Sequence, residues 1–396
     1  MNSVMHKKLS HLDENELSEL LRRYYDPEKE YTVSQILRDF DIDALPGELV
    51  SLLPDTIYDQ ECPFCEGVKF RSKATSRSSN IPNSPECPSC GHKNSASCAC
   101  KHCWQAVLDE REEISRSQRS AVLQFYGPES WHTIPDVYEL SLEDMIYLKA
   151  IVAHNSSEDL YEVNPLARTQ TAFAPGQTMV WDILKHLYHR SKSIAPCPES
   201  DLQAFDFKDD GSSPSFYMSK VDWLLLPSLS NTEKLNYLRT LDEQLVLYKS
   251  QGTMEVQEHA LWHKIVKHEA LEYYEYKLSE VNTGLDKVGD KTHAVFDDLV
   301  NRFSLAHIYH IIFVTVRNTH HYITQQRIPR YQAKNMYVGA IERNANKYEA
   351  EGWLKNFSRE RNCPQTTLSA IFFDFYLGLG GGYFESRLPS LPEFDS

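Results

Sequence analysis

The stretch that decides the architecture runs from residue 62 to residue 103: CPFC at 62–65, a 21-residue spacer, CPSCGH at 87–92 and CACKHC at 98–103. Seven of the nine cysteines fall in it, while Cys197 and Cys363 stand alone. Each C-x-x-C forms a tight turn that aims two sulfurs at one point, at a separation suited to a shared tetrahedral ion. The opening residues, MNSVMHKKLSHLDENEL, lack the apolar core of a secretory signal. The expectation is a soluble cytoplasmic protein, in which clustered thiols bind metal rather than pair as disulfides.

Cys62, Cys65, Cys87 and Cys90 supply four thiolates for one ion. Cys98, Cys100 and Cys103 need a fourth ligand, and His92 is the nearest candidate, with His102 as competitor. Two zinc ions held by seven cysteines and one histidine follow. The simplest partition is Cys62/Cys65/Cys87/Cys90 and His92/Cys98/Cys100/Cys103. An interleaved one, with Cys100/Cys103 closing on Cys62/Cys65, uses the same residues. A single zinc with three incidental cysteines is the plainer alternative. Over residues 60–104 the pattern resembles a zinc ribbon. The donors fill every coordination position, so both sites are expected to be structural rather than catalytic.

The spacer carries Lys69, Arg71, Lys73 and Arg77 with no acid between them. From Cys62 to Cys103 six basic residues face two acids, a local +4 in a chain whose net charge is -15. Such a finger on an acidic protein is what a nucleic-acid contact needs, and Phe70 inside it could stack on a base. Contact with a protein partner, or pure scaffolding, is the competing use. No apolar run approaches the roughly 18–20 residues that span a bilayer, so no membrane contact is expected. Homo-oligomerisation is left open.

Outward from this module the chain is helical. Apolar spacing marks a helix over Leu9–Tyr25, then one that Ser34 can cap and one beginning at Pro46. The last two outline a helix-turn-helix or, with only Glu48 and Ser51 to offer a groove, a helical hairpin packed on the zinc module. Trp104–Phe125 is a charged connector helix. Ser141 with Asp144 forms a capping box for a helix to His154. Thr178–Ser191 is helical, Pro196–Pro214 is expected to be a loop, and Tyr217–Leu226 a strand or buried segment. Helices over 232–249, 253–281, 292–327 with a break near Ser304, 331–351 and 366–377 complete the chain.

The expected fold is mainly α: a helical N-terminal segment, a small two-zinc ribbon-like β module and a larger C-terminal helical domain. The expected segments are 1–58, 59–104, a connector helix at 105–127, a mainly helical region at 128–228 and a helical domain at 229–396.

Three further patterns bear on chemistry. In TVRNTHHYI, Arg317 and His321 lie on an apolar helix. The element resembles the Arg-polar-x-x-x-His motif of HEPN ribonucleases, with three residues between Arg317 and His321 where that family shows four. The resemblance implies an all-helical ribonuclease in which Arg317 stabilises phosphate and His321 does acid-base work. The alternative is a structural arginine with histidines bonded inside a bundle. Glu255, His259 and His263 recur at four-residue steps and could bind a metal or simply form a wet face. GLGGG at 378–382 lacks the Lys-Ser/Thr of a phosphate loop. The expected function is recognition: a zinc-stabilised protein contacting nucleic acid or a protein partner, in a bacterial defence or mobile-element setting suggested by the zinc-ribbon resemblance. Metal-independent ribonuclease activity is the alternative.

Overall fold

The computed structural model describes residues 6–79, 83–158, 160–163, 172–208, 213–249, 255–283 and 288–391. It divides into two compact units, Met1–Arg116 and Ser117–Ser396.

In the first unit, α1 (Glu14–Tyr24) opens on a capping box between Asp13 and Glu16. The second helix, α2 (Val33–Asp39), is capped by Thr32 paired with Gln35, not by Ser34 as the sequence suggested. Gln35 falls at the position where its side chain can reach back to the cap. α3 spans only Leu49–Leu52. Leu20, Tyr24, Ile36, Leu37, Leu49 and Leu52 close into one small core. Leu49 and Leu52 of this four-residue helix face that core.

Strands β1 (Thr56–Glu61) and β2 (Lys69–Ser72) then pair antiparallel, and isolated bridges Arg71–Glu86 and Glu86–Lys93 extend the ladder. Tyr24 and Tyr25 tie this module to α1: their hydroxyls accept from the N–H groups of Arg77 (3.3 Å) and Thr75 (3.2 Å). The following helix, α4 (Lys101–Tyr126), starts inside the last cysteine cluster, and the boundary between the units falls within it.

The second unit is a helical domain that includes a three-stranded antiparallel sheet. α5 (Leu142–Asn155) begins at the expected Ser141–Asp144 capping box. β3 (Glu162–Val163), α6 (Gln177–His189) and β4 (Ile194–Pro196) follow. Within the stretch where the sequence suggested only a loop, β5 (Phe205–Asp206) forms and pairs antiparallel with β6 (Ser215–Phe216); residues 209–212 lie outside the described set. β7 (Trp223–Leu225) is the buried centre of the sheet, in the order β3-β7-β4.

Next come α7 (Asn231–Lys249), α8 (Val256–Glu280), α9 (Asp290–Arg302), α10 (Leu305–Gln326) and α11 (Arg330–Ala350). The expected break is present, with Ser304 capping α10 by accepting from the N–H of His307. The start expected for α8, at Thr253, lies outside the described residues. α8 buries residues on several of its sides, the charged Glu258, Glu269 and Lys277 among them, and packs on α5, α9 and α10. Thr366 caps α12 (Thr367–Ser369), which widens into a π-helical turn over Ala370–Tyr376. Among the described residues no helix is long and apolar enough to cross a membrane.

Candidate metal centre

Two knuckles build the first cluster. Cys62 follows β1, and Gly67, at φ +70°, lets the chain turn back so that Cys62 N–H reaches the Val68 carbonyl at 2.8 Å. Gly91, at φ +69°, does the same after the second knuckle, where Cys87 N–H donates to the His92 carbonyl at 2.8 Å. The donor atoms of Cys62, Cys65, Cys87 and Cys90 lie within 4.8 Å of one another, and Cys62 Sγ is 3.7 Å from Cys90 Sγ.

His92, Cys98, Cys100 and Cys103 form the second cluster within the same limit. His92 faces it with Nδ1, which lies 3.4 Å from Cys98 Sγ, 3.6 Å from Cys100 Sγ and 3.3 Å from Cys103 Sγ. Zinc–sulfur and zinc–nitrogen bonds of about 2.3 and 2.1 Å imply tetrahedral edges of roughly 3.6–3.8 Å. The clusters have that size. The simple partition is therefore the one the fold adopts, and the interleaved one is not. His102 stays outside, its ring stacked on Phe64 at 4.8 Å.

The electrostatics of the thiols suit a cation. Backbone N–H groups, first that of Lys93, hold the Cys98 thiol at about 6. Burial raises Cys87, but the N–H groups of Cys90 and Ser89 outweigh it and bring it to about 7. Burial and the neighbouring sulfurs push Cys90 and Cys103 up to about 12. Four crowded thiols cannot all ionise alone, and a divalent cation removes that obstacle by taking the thiolates as ligands. The donor set, three or four sulfurs with at most one imidazole, suits zinc. Both groups are positioned to bind zinc, with no coordination position left for water.

The basic finger is placed less freely than its sequence suggests. Lys69 pairs with Asp59 at 3.0 Å. Arg71 is half-buried on β2 and its Nε is sealed from solvent. The Arg77 guanidinium turns inward to donate to the Tyr31 carbonyl. Lys73 is exposed. Phe70 cannot stack on a base: it is 1% exposed and packs beside Cys62 and Cys87 as the core of the module. The exposed aromatics are others, Phe64 at 44% and Trp104 at 60%. The sequence carried a signal for Phe64, an aromatic inside a knuckle whose turn requires none.

Arg317 and His321 sit one turn apart on the exposed end of α10, not inside the bundle. Arg317 donates to Asn318 Oδ1 at 3.3 Å and lies over the Phe313 ring, and His321 meets Gln325 at 2.7 Å. Glu255 serves as the N-cap of α8, and His263 faces Asp297, whose carboxylate is already held by Lys267 at 2.7 Å. Cys197 and Cys363 are buried, with thiols raised by burial. No family model, no curated protein and no solved structure matches the chain.

Proposed function

We propose that the first unit is a zinc-stabilised recognition module whose target is a protein partner. The observation that carries this reading is the exchange of roles on its surface. Lys69 and Arg77 are engaged within the chain, whereas Phe64, packed on His92 and His102 yet 44% exposed, and Trp104, 60% exposed, leave aromatic surface open to a partner. Aromatic side chains of this kind, held by a rigid scaffold, are what protein interfaces bury at their centres. The zincs fix the scaffold and take no part in chemistry.

A nucleic-acid target is the second reading, favoured by the local +4 charge and by the exposed Lys73. The defence or mobile-element setting rests on the zinc-ribbon resemblance alone. Site-specific photo-crosslinking from position 64 or 104 of the full zinc-loaded chain separates the two targets. A nuclease-resistant protein adduct that disappears on chelation is the expected result. An adduct removed by nuclease would transfer the role to nucleic acid.

A further inference from the structure

A cavity of about 130 Å³ opens in the second unit between the end of α4, the turn after α6 and strand β4. An apolar cavity of about 150 Å³ accepts benzene, so this one has room for a single six-membered ring. Its walls are aromatic: Phe125, Tyr126, Trp131 and Tyr188. Three of them are also fixed. Trp131 Nε1–H donates to the Tyr126 carbonyl at 3.0 Å, the Tyr126 hydroxyl donates to the Pro214 carbonyl, and Tyr188 packs edge-on against Phe216 at 5.6 Å.

Two polar features join these walls. β4 is an edge strand, so among the described residues one row of its backbone polar groups, of which Pro196 offers only its carbonyl, has no neighbouring strand. Lys192 also lines the cavity and makes no ion pair among the described residues. Its backbone is left-handed, at φ 53°, a conformation that asparagine or glycine adopts more readily than lysine. A planar ring with a hydrogen-bonding edge and an attached anion satisfies all three features, and a purely apolar ring satisfies only the first.

We propose that this cavity binds one pyrimidine nucleotide, with its base on the aromatic wall, the base edge toward β4 and the phosphate at Lys192. The nucleotide is free or is a base unstacked from a single strand; the chemistry at the cavity is the same. All the residues lining the site belong to the second unit, and the proposal does not depend on the zinc module's target.

Calorimetric titration of the full chain at low salt, with UMP, uridine, AMP and tetrauridylate, tests it. UMP should saturate one site. Uridine should bind about ten-fold more weakly, because the charge-assisted contact is lost, and AMP more weakly than UMP, because its fused rings exceed the cavity. Lys192→Met should bring UMP down to the level of uridine and leave uridine unchanged, while Lys192→Arg keeps the difference. Phe125→Ala, at a ring 41% exposed and so dispensable to the fold, should weaken both on the order of ten-fold. Tetrauridylate binding more tightly than UMP assigns the strand as source, and equal or weaker binding assigns the free nucleotide. Absence of saturable UMP binding, or UMP affinity indifferent to Lys192→Met in a variant with unchanged thermal unfolding, overturns the proposal.

Discussion

The N–H of Cys87 donates to the carbonyl of His92 at 2.8 Å, which fastens a ligand of one metal cluster to a ligand of the other. The knuckle that closes the first cluster therefore also carries His92 into the second. This bond predicts that binding at the two sites is coupled, and that the coupling has a direction.

Elemental analysis should find two zinc ions per chain. Cys103→Ser removes a ligand from the second cluster alone and should leave close to one ion. Cys87→Ser unmakes the knuckle that positions His92 and should leave fewer than one, with loss of folded structure in the first unit, since site and fold are linked. Equal losses in the two variants would show that the clusters fold independently.

Much of this was legible in the sequence because it depends on local spacing. C-x-x-C fixes where two sulfurs point, and Ser141 with Asp144 or Ser304 before an apolar run fixes a helix start. What was not legible depends on distant partners. Nothing near Arg77 announces the Tyr31 carbonyl, 46 residues away, that takes its guanidinium. Phe70 and Phe64 look alike in sequence, yet strand pairing turns one into the core and leaves the other in solvent. Arg317 and His321 follow an apolar run and so suggested burial, but α10 is buried over its first turns and exposed over its last.

The basic finger gives a second test. Binding of short single- and double-stranded oligonucleotides should be weak, with a shallow dependence on salt that Lys73→Ala flattens by at most about one unit. Arg77→Ala should act on stability instead, costing about 1–3 kcal/mol because it removes a charged donor from a half-buried carbonyl. A steep salt slope that Arg77→Ala flattens without loss of thermal stability would restore the nucleic-acid reading.

The ribonuclease alternative has its own readout. Since Arg317 and His321 are exposed, Arg317→Ala and His321→Ala should each change stability by no more than about 0.5 kcal/mol. A catalytic histidine contributes on the order of 100- to 10,000-fold. The expected outcome is no metal-independent cleavage of single-stranded RNA by the wild type above the level of either variant. Cleavage that falls by that factor in a fully folded His321→Ala protein would establish the enzyme.

Glu272 and His268, one turn apart on α8, contribute to the pH dependence of the second unit with opposite signs. Burial first, then the neighbouring Glu269 carboxylate, pushes Glu272 from its ordinary 4.5 to about 7. The folded chain thus holds this proton more tightly than the unfolded chain. Its contribution to stability is fully present below pH 4.5 and is lost as pH rises through 7. Burial, then the charge of Lys264, lowers His268 from 6.5 to about 4, so its contribution is present above 6.5 and is lost as pH falls through 4. Between these limits the two slopes oppose each other. Glu272→Gln isolates one of them. The amide oxygen can still accept from the Gly176 N–H, but it never ionises. The variant should exceed the wild type by about 1–3 kcal/mol at pH 8 and match it near pH 4.5, after allowance for the part of the group that water reaches. Denaturant unfolding of the two full chains at both pH values measures the difference, in which the zinc module, common to both, cancels. A stability gain equal at the two pH values would mean that packing, not the buried charge, sets the cost of Glu272.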